Sequence, residues 1–475
     1  MGEQSLMAGS GQIDITPPLP VERGGSFRLM EVTKVYTPLM AHSIAVSQGD
    51  EAFIWTSVDL GSLGRGRSDR FRERVIEATG LAEHQVHIST THCHGAPTGP
   101  GDFQIYANDE RQEKAWRVYQ DMMEKAAASA IEAWNNRRPV KVGHGVGNIE
   151  RACFNRRWIM STGRSAMHGK SENGETRIQI EGPVDDTLQV VWFIDEQTDR
   201  YVAALVNAAT HPNQSYGLDG LHADFPGEMR QCIWGALQEN FPILFLQGAC
   251  GDVQPVDLKD DPTWGKKLEG IRTIGRHIAG EVIKVMHASR PVSGQTLALH
   301  TDHVHVSLDF REFPPEDIRQ IMQLFEQSRQ ASDPKAFLDP HLDTLTKKAH
   351  AKAVALIEQL KAEHGSSQTI RLSGIRIGDL YFVLTPAHQF VQFQMDLKQA
   401  LPGRKVMLVD LTDDVVNYVP TRLAIALGGY ETEHRRYMPD AGERIVAAGI
   451  ELVNRLHAIG KDADAHAYGL QYGNA

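Results

Sequence analysis

Residues 86–102 read VHISTTHCHGAPTGPGD. Val86-His87-Ile88-Ser89 is a short alternating strand, and it runs into a Gly- and Pro-rich loop that carries His92 and His94. An extended backbone has a side-chain period of two, so the two histidines are expected on one face, reaching one point. α/β proteins place their chemistry at such strand ends, because the sheet fixes the geometry and the loop leaves it accessible. Cys93, between the histidines, is expected to point away from them. Taken alone, the pair reads equally well as an ordinary strand end with solvent-facing histidines; the rest of the chain decides.

The pattern recurs. The apolar stretch Tyr201–Thr210 runs into His211-Pro212, where the proline forces an extended backbone and ends the strand. A satisfied core histidine is the competing reading. Pro242–Gln247 ends in Gly248-Ala249-Cys250-Gly251-Asp252-Val253-Gln254, whose glycines allow backbone to approach a ligand. A hairpin, Thr369–Ile377 and Leu380–Thr385, delivers Pro386-Ala387-His388-Gln389, and a strand over 405–410 leads to Asn417-Tyr418-Val419-Pro420. Polar residues at several strand ends predict a shared cleft. Asp224 is placed to cap a helix over 226–239 with Pro226 in its first turn. Arg156 and Arg157 are adjacent on an extended segment and should point to opposite faces, so at most one enters a cleft to clamp a polar group. A tie to a neighbouring carboxylate explains them equally well.

Between these strands the sequence predicts helices over 68–80, with Gly80 as C-cap, and over 111–134, 264–288 and 440–459. Residues 312–363 are charged and helical in period, interrupted at Ser332-Asp333-Pro334 and Asp339-Pro340, and read as a helical insertion that could serve as a lid. The tail His466–Ala475 has no pattern. The expected fold class is α/β: a single large domain over 8–465 with mixed β-sheets flanked by helices and strand-end loops forming a metal site. The net charge of −11 is spread along 475 residues without a basic stripe, which argues against nucleic acid as a partner. No apolar run of about 18 residues is present and no export signal is seen, so no integral membrane segment and a cytoplasmic location are expected. Four cysteines without CxxC spacing suit a reducing compartment. The oligomeric state is not encoded in any pattern recognised here.

Zinc takes imidazole nitrogen plus oxygen, and a catalytic site keeps one position open for water. His92, His211 and His388 supply imidazoles for one Zn2+ per chain, and Tyr418, which would not stand out unaided, could add a phenolate. Such an ion lowers the pKa of its water and polarises a carbonyl, giving hydrolysis of a small-molecule substrate near neutral pH. His94 would then shuttle a proton to the leaving group, and Asp252 or Asp224 would orient a histidine through its other nitrogen.

In order along the chain, GQIDITPP, STTHCHGAPTG, FNRR, GPVDDTLQVVWF, NAATHP, HADFPG, LQGACGDVQP, TPAHQF, NYVPT and GGYE resemble the catalytic domain of the neutral/alkaline ceramidases and their bacterial relatives. The blocks span most of residues 10–435. The resemblance implies a zinc-dependent amidohydrolase whose ligands are His92, His211, His388 and Tyr418, with His94 as acid/base. Tyr418 and Asp252 join His94 as catalytic candidates, and Arg156, Arg157, Gly251 and Gln254 are the candidate substrate contacts. Three positions depart from the family. His388, or Gln389 after a one-residue slip, stands where the family has a glutamate; Gln254 replaces a serine; and Pro420 replaces a threonine. Neither a C-terminal immunoglobulin-like domain nor a secretion signal is expected. Amide or ester hydrolysis of a soluble substrate is therefore expected ahead of ceramide. The alternatives are a carbohydrate- or lactone-directed metalloenzyme on the same scaffold, and a binding protein without turnover.

Overall fold

The computed structural model describes residues 5–24, 30–97, 99, 109–170, 174–257, 267–330 and 345–459. Its largest sheet is built from β1 (Met7–Asp14), β2 (Met40–Gln48), β3 (Glu51–Val58), β4 (Val86–Thr90), β5 (Arg138–Asn148), β6 (Thr187–Asp195), β7 (Tyr201–Ala208) and β8 (Ile243–Gln247), in the order β8-β7-β6-β5-β1-β2-β3-β4, with Val292–Ser293 added beside β5. Most neighbours are antiparallel, but β3–β4 and β7–β8 are parallel pairs. Each parallel pair needs a helical crossover. α1 (Arg65–Thr79), ended by Gly80 in the left-handed region at φ 73°, supplies the first, and α3 (Asp224–Leu237) the second.

A second sheet, β9 (Leu299–Asp309), β10 (Ser367–Ile377), β11 (Leu380–Leu384) and β12 (Lys405–Val409), runs in that order. Its inner face packs on the first sheet through Trp55, Phe193, Leu205, Leu244, Ile375, Phe382 and Met407, all buried. α1 and α2 (Asp109–Asn135) cover β2–β4. α3 and α4 (Lys267–Ala288) cover β6–β8. α6 (Leu345–His364), α7 (Val391–Ala400) and the last helix, Ala441–Ala458, cover the second sheet. The result is four layers, helices outside two sheets, because each sheet carries one apolar face toward the other and one toward its helices.

The two ends of the larger sheet meet. The Ser57 hydroxyl on β3 donates to the Phe245 carbonyl on β8 at 2.8 Å, although β8 begins the sheet order and β3 stands next to its other end. The turn after β12 closes the seam: Asp410 N donates to Gln247 O, and Asp413 N to Ile88 O, both at 2.8 Å. The C-terminal ends of β4, β7 and β8 therefore open onto one place.

Of the insertion, α5 (Pro315–Gln330) and α6 form a helical pair, and Ile321, Val354 and Ile357 sit in the core of the second layer. Its two proline interruptions and the tail from 460 onward lie outside the described residues. Among the described residues, no helix is long and apolar enough to cross a membrane.

Candidate metal centre

His92 does not reach the site by strand alternation. β4 ends at Thr90, and His92 has φ 65°, a left-handed conformation that is costly for a residue with a Cβ. That kink, not a period of two, turns His92 and His94 toward each other, with ring centroids 5.2 Å apart. Cys93 points the other way, into the core beneath α1 and α2. The His94 amide donates to Pro212 O at 3.0 Å, which ties this loop to the end of β7.

His211 follows β7 and is 1% exposed. His388 opens a two-residue strand, His388–Gln389, that pairs in parallel with Tyr418–Val419, so that His388 and Tyr418 are register partners. Their rings stack at 4.3 Å. Centroid distances of 4.5 Å for His92–His211, 4.6 Å for His92–His388 and 5.2 Å for His211–His388 put all these imidazoles around one small volume. Candidate donor atoms of His92, His94 and His211 lie within 4.8 Å of one another, as do those of His211, Cys250 and His388.

Hydrogen bonds fix the tautomers. The His92 Nδ1–H donates to Gly61 O at 2.5 Å, which puts the lone pair on Nε2, the usual arrangement of a metal-ligating histidine held by a carbonyl. Arginine has no acceptor, so Arg156 donates to His211 Nδ1 at 3.2 Å and leaves the ring proton on Nε2, 3.0 Å from His94 Nε2. His388 Nε2 faces the Cys250 thiol at 3.3 Å. Burial holds His211 and His388 well below the usual imidazole pKa, and the neighbouring rings and Arg156 add to this, so both are neutral at physiological pH. These donors fit a borderline divalent ion. His92 and His94 present Nε2 lone pairs as they stand, and His211 does so in its other tautomer, with the proton on Nδ1 and Arg156 no longer donating there.

Arg156 is the organiser behind the rings. It donates to Glu431 at 2.8 Å, to Gly251 O at 2.8 Å, to the Tyr418 hydroxyl at 3.0 Å and to His211. Arg157 points elsewhere, to Glu181, Gly428 O and the other oxygen of Glu431. Both arginines are thus carboxylate-tied, and only Arg156 touches the ring cluster. Glu431 is fully buried between them. Burial alone would raise its pKa, but the two guanidiniums outweigh it and hold the carboxyl below the ordinary glutamate value.

Two orienting roles expected of carboxylates are filled otherwise. Asp252 accepts from Asn155 at 2.9 Å and from the Val391 amide at 2.8 Å, and touches no imidazole. Burial raises its pKa to about 6. Asp224 is the first residue of α3 rather than its cap; with φ 54° it accepts from the amides of Ser215 and Phe225 and so shapes the loop after His211. The Gln254 side chain donates to Val256 O at 2.9 Å. Gly251 is small because Gln389 lies against it: a Cβ there would sit 2.8 Å from Gln389 O. Gln389, the alternative to His388, instead pairs with Asp410 through its amide at 2.7 Å and its side chain at 3.0 Å. Glu431 and Cys250 were not singled out from sequence. A glutamate two residues after a glycine pair and a cysteine between two glycines at a strand end were their only signals.

No protein-family model and no curated protein sequence matches the chain. Solved structures do. A structure described as ceramidase complexed with C2 aligns over 96% of this chain and 76% of its own, at 15% identity and a TM-score of 0.69. The neutral ceramidase from Pseudomonas aeruginosa aligns over 95% and 75%, at 17% identity and a TM-score of 0.67. The expected fold class is borne out, and the architecture of this chain is that of the neutral ceramidases.

Proposed function

We propose that the chain is a metal-dependent hydrolase that cleaves an amide (N-acyl) or ester bond of a small-molecule substrate, with His92, His211 and His388 as nitrogen donors to one zinc ion. The observation that carries this reading is the convergence of four imidazoles and a phenol at the seam of a neutral-ceramidase fold. A divalent ion held there supplies Lewis acidity toward a carbonyl oxygen and a lowered pKa for water.

The chain's own groups supply the rest. His92 and His94 are half-buried, while His211 and His388 are buried; with His92 as an ion donor, His94 is the ring left to meet both substrate and solvent. Lying 3.0 Å from His211 Nε2, it stands beside the donor set, placed to take a proton from water and pass it to a leaving amine or alcohol. Tyr418 accepts from Arg156, which leaves its own O–H to donate to a developing oxyanion. Burial raises the Tyr418 pKa, so that proton is present at neutral pH. Arg156 keeps the phenol and His211 in register without being consumed.

The test is elemental analysis of purified protein together with release of a fluorescent amine from an N-acyl substrate. His92→Ala and His211→Ala should each lose metal and turnover while keeping the native circular dichroism. Stoichiometric zinc retained by both variants would refute the donor assignment.

A further inference from the structure

We infer that Cys250 is a sulfur ligand of this metal centre, filling the donor position that the sequence resemblance gives to Tyr418. This rests on the metal-centre reading above. Cys250 follows β8 in a segment stitched to its neighbours on both sides. Gly248 N donates to Ala208 O at 2.9 Å, Ala249 N to the Gln394 side chain at 3.0 Å, and Gly251 N to Gln389 O at 2.8 Å. These bonds hold the segment between the end of β7, which leads to His211, and the strand that starts at His388. A Cβ at Gly248 would meet Gln394 Oε1 at 2.7 Å, so the close approach requires glycine there. Cys250 is fully buried, and its donor atom groups with those of His211 and His388 within 4.8 Å.

The distance suits shared coordination. With metal–sulfur near 2.3 Å and metal–nitrogen near 2.0–2.1 Å, two tetrahedral ligands stand about 3.5 Å apart. Cys250 Sγ and His388 Nε2 are 3.3 Å apart. The Cys250 thiol and His388 Nε2 share a hydrogen bond across that gap. On coordination the Cys250 S–H bond breaks, its proton goes to solvent and the sulfur lone pair forms the bond to the ion. The Tyr418 oxygen meanwhile stays with Arg156.

The experiment loads the full-length protein with Co2+ and, in parallel, with Zn2+. The wild type should show a near-ultraviolet sulfur-to-cobalt charge-transfer band. Its zinc X-ray absorption should show one sulfur neighbour near 2.3 Å. Cys250→Ser should lose the band and bind Co2+ at least about tenfold more weakly. Cys93→Ser, altered beside the ring cluster but facing the core, should keep the band. A band that survives Cys250→Ser overturns the assignment. Metal bound with no sulfur neighbour in the wild type overturns the Cys250 ligand while leaving the metal centre standing. A wild type that binds neither ion overturns both, and the X-ray absorption reading needs no variant to fold.

Discussion

Glu431→Gln is the perturbation that most sharply separates a scaffolded site from a chance gathering of histidines. Glu431 is fully buried and bonds Arg156 Nε at 2.8 Å and Arg157 Nη1 at 2.6 Å, with both guanidiniums buried as well. Arg157 keeps Glu181 as a second carboxylate at 2.8 Å, but Arg156 would be left with only neutral partners. Removing one member of a buried ion pair costs about 3–5 kcal/mol, because the remaining charge stays desolvated. At 1.4 kcal/mol per decade this is a roughly 140- to 3700-fold rise in the unfolded fraction. The assay is urea unfolding at pH 7, read as a lower midpoint at unchanged slope.

The sign with pH follows from linkage. The carboxyl is held below the ordinary glutamate value of 4.5, so its stabilisation is fully present above that pH and is lost as pH falls through the depressed native value. The gap between wild type and Glu431→Gln should therefore shrink in acid. Metal affinity should fall alongside stability, since Arg156 positions His211 and Tyr418. A variant within about 1 kcal/mol of wild type at pH 7, with metal affinity unchanged, would refute the claim that the arginine–glutamate unit supports the site.

Two further outcomes follow from the same geometry. Gly251→Ala places a methyl 2.8 Å from Gln389 O and 3.0 Å from Phe390 Cδ1, so it should cost about 1–3 kcal/mol by overpacking and shift His388. Thermal unfolding and metal content should both fall, and a variant that loses neither contradicts the packing. Asp410 is buried with its pKa raised from 3.8 to about 7, chiefly by burial, so its contribution is present below 3.8 and is lost as pH rises through about 7. That interval corresponds to roughly 4 kcal/mol as an upper bound. Asp410→Asn should therefore be the more stable protein above neutrality, its amide pairing with the otherwise unpartnered Gln389 Oε1, and equal stability of the two proteins at pH 8 by urea unfolding would count against this.

Much of the fold was legible because its signals are local. α1 with Gly80 and the β10–β11 hairpin fall close to where alternation, turn residues and capping put them. The first strand, Met7–Asp14, is harder to read. Its alternation is masked by Gly9 and Gly11, which lie where α2 packs so closely that a Cβ would meet Ala133 O or Ser129 O at 2.2 Å. What no local pattern carries is the closure of the larger sheet, since Ser57 and Phe245 are 188 residues apart and neither side chain type announces the contact.

The site divides along the same line. His92, His94, His211 and His388 could be picked out because each follows an apolar strand, and imidazole at a strand end is a visible oddity. The reason given for His92 and His94 was nevertheless wrong in mechanism, since a left-handed backbone at His92 does what extended alternation was expected to do. Asp252 and Asp224 looked like orienters for the same reason the histidines looked like ligands. Yet the orienting groups are a carbonyl, Gly61 O, and a cation, Arg156. A carbonyl has no side-chain signature at all. Arg156 is disclosed only by its partner, and Glu431 lies 275 residues away. The donors are thus written in residue type, whereas the groups that set their tautomers and hold them are written in the backbone seam. Substitutions at the seam should disturb metal retention as surely as substitutions at the rings, and this is why Glu431 and Gly251 are as informative to change as His92.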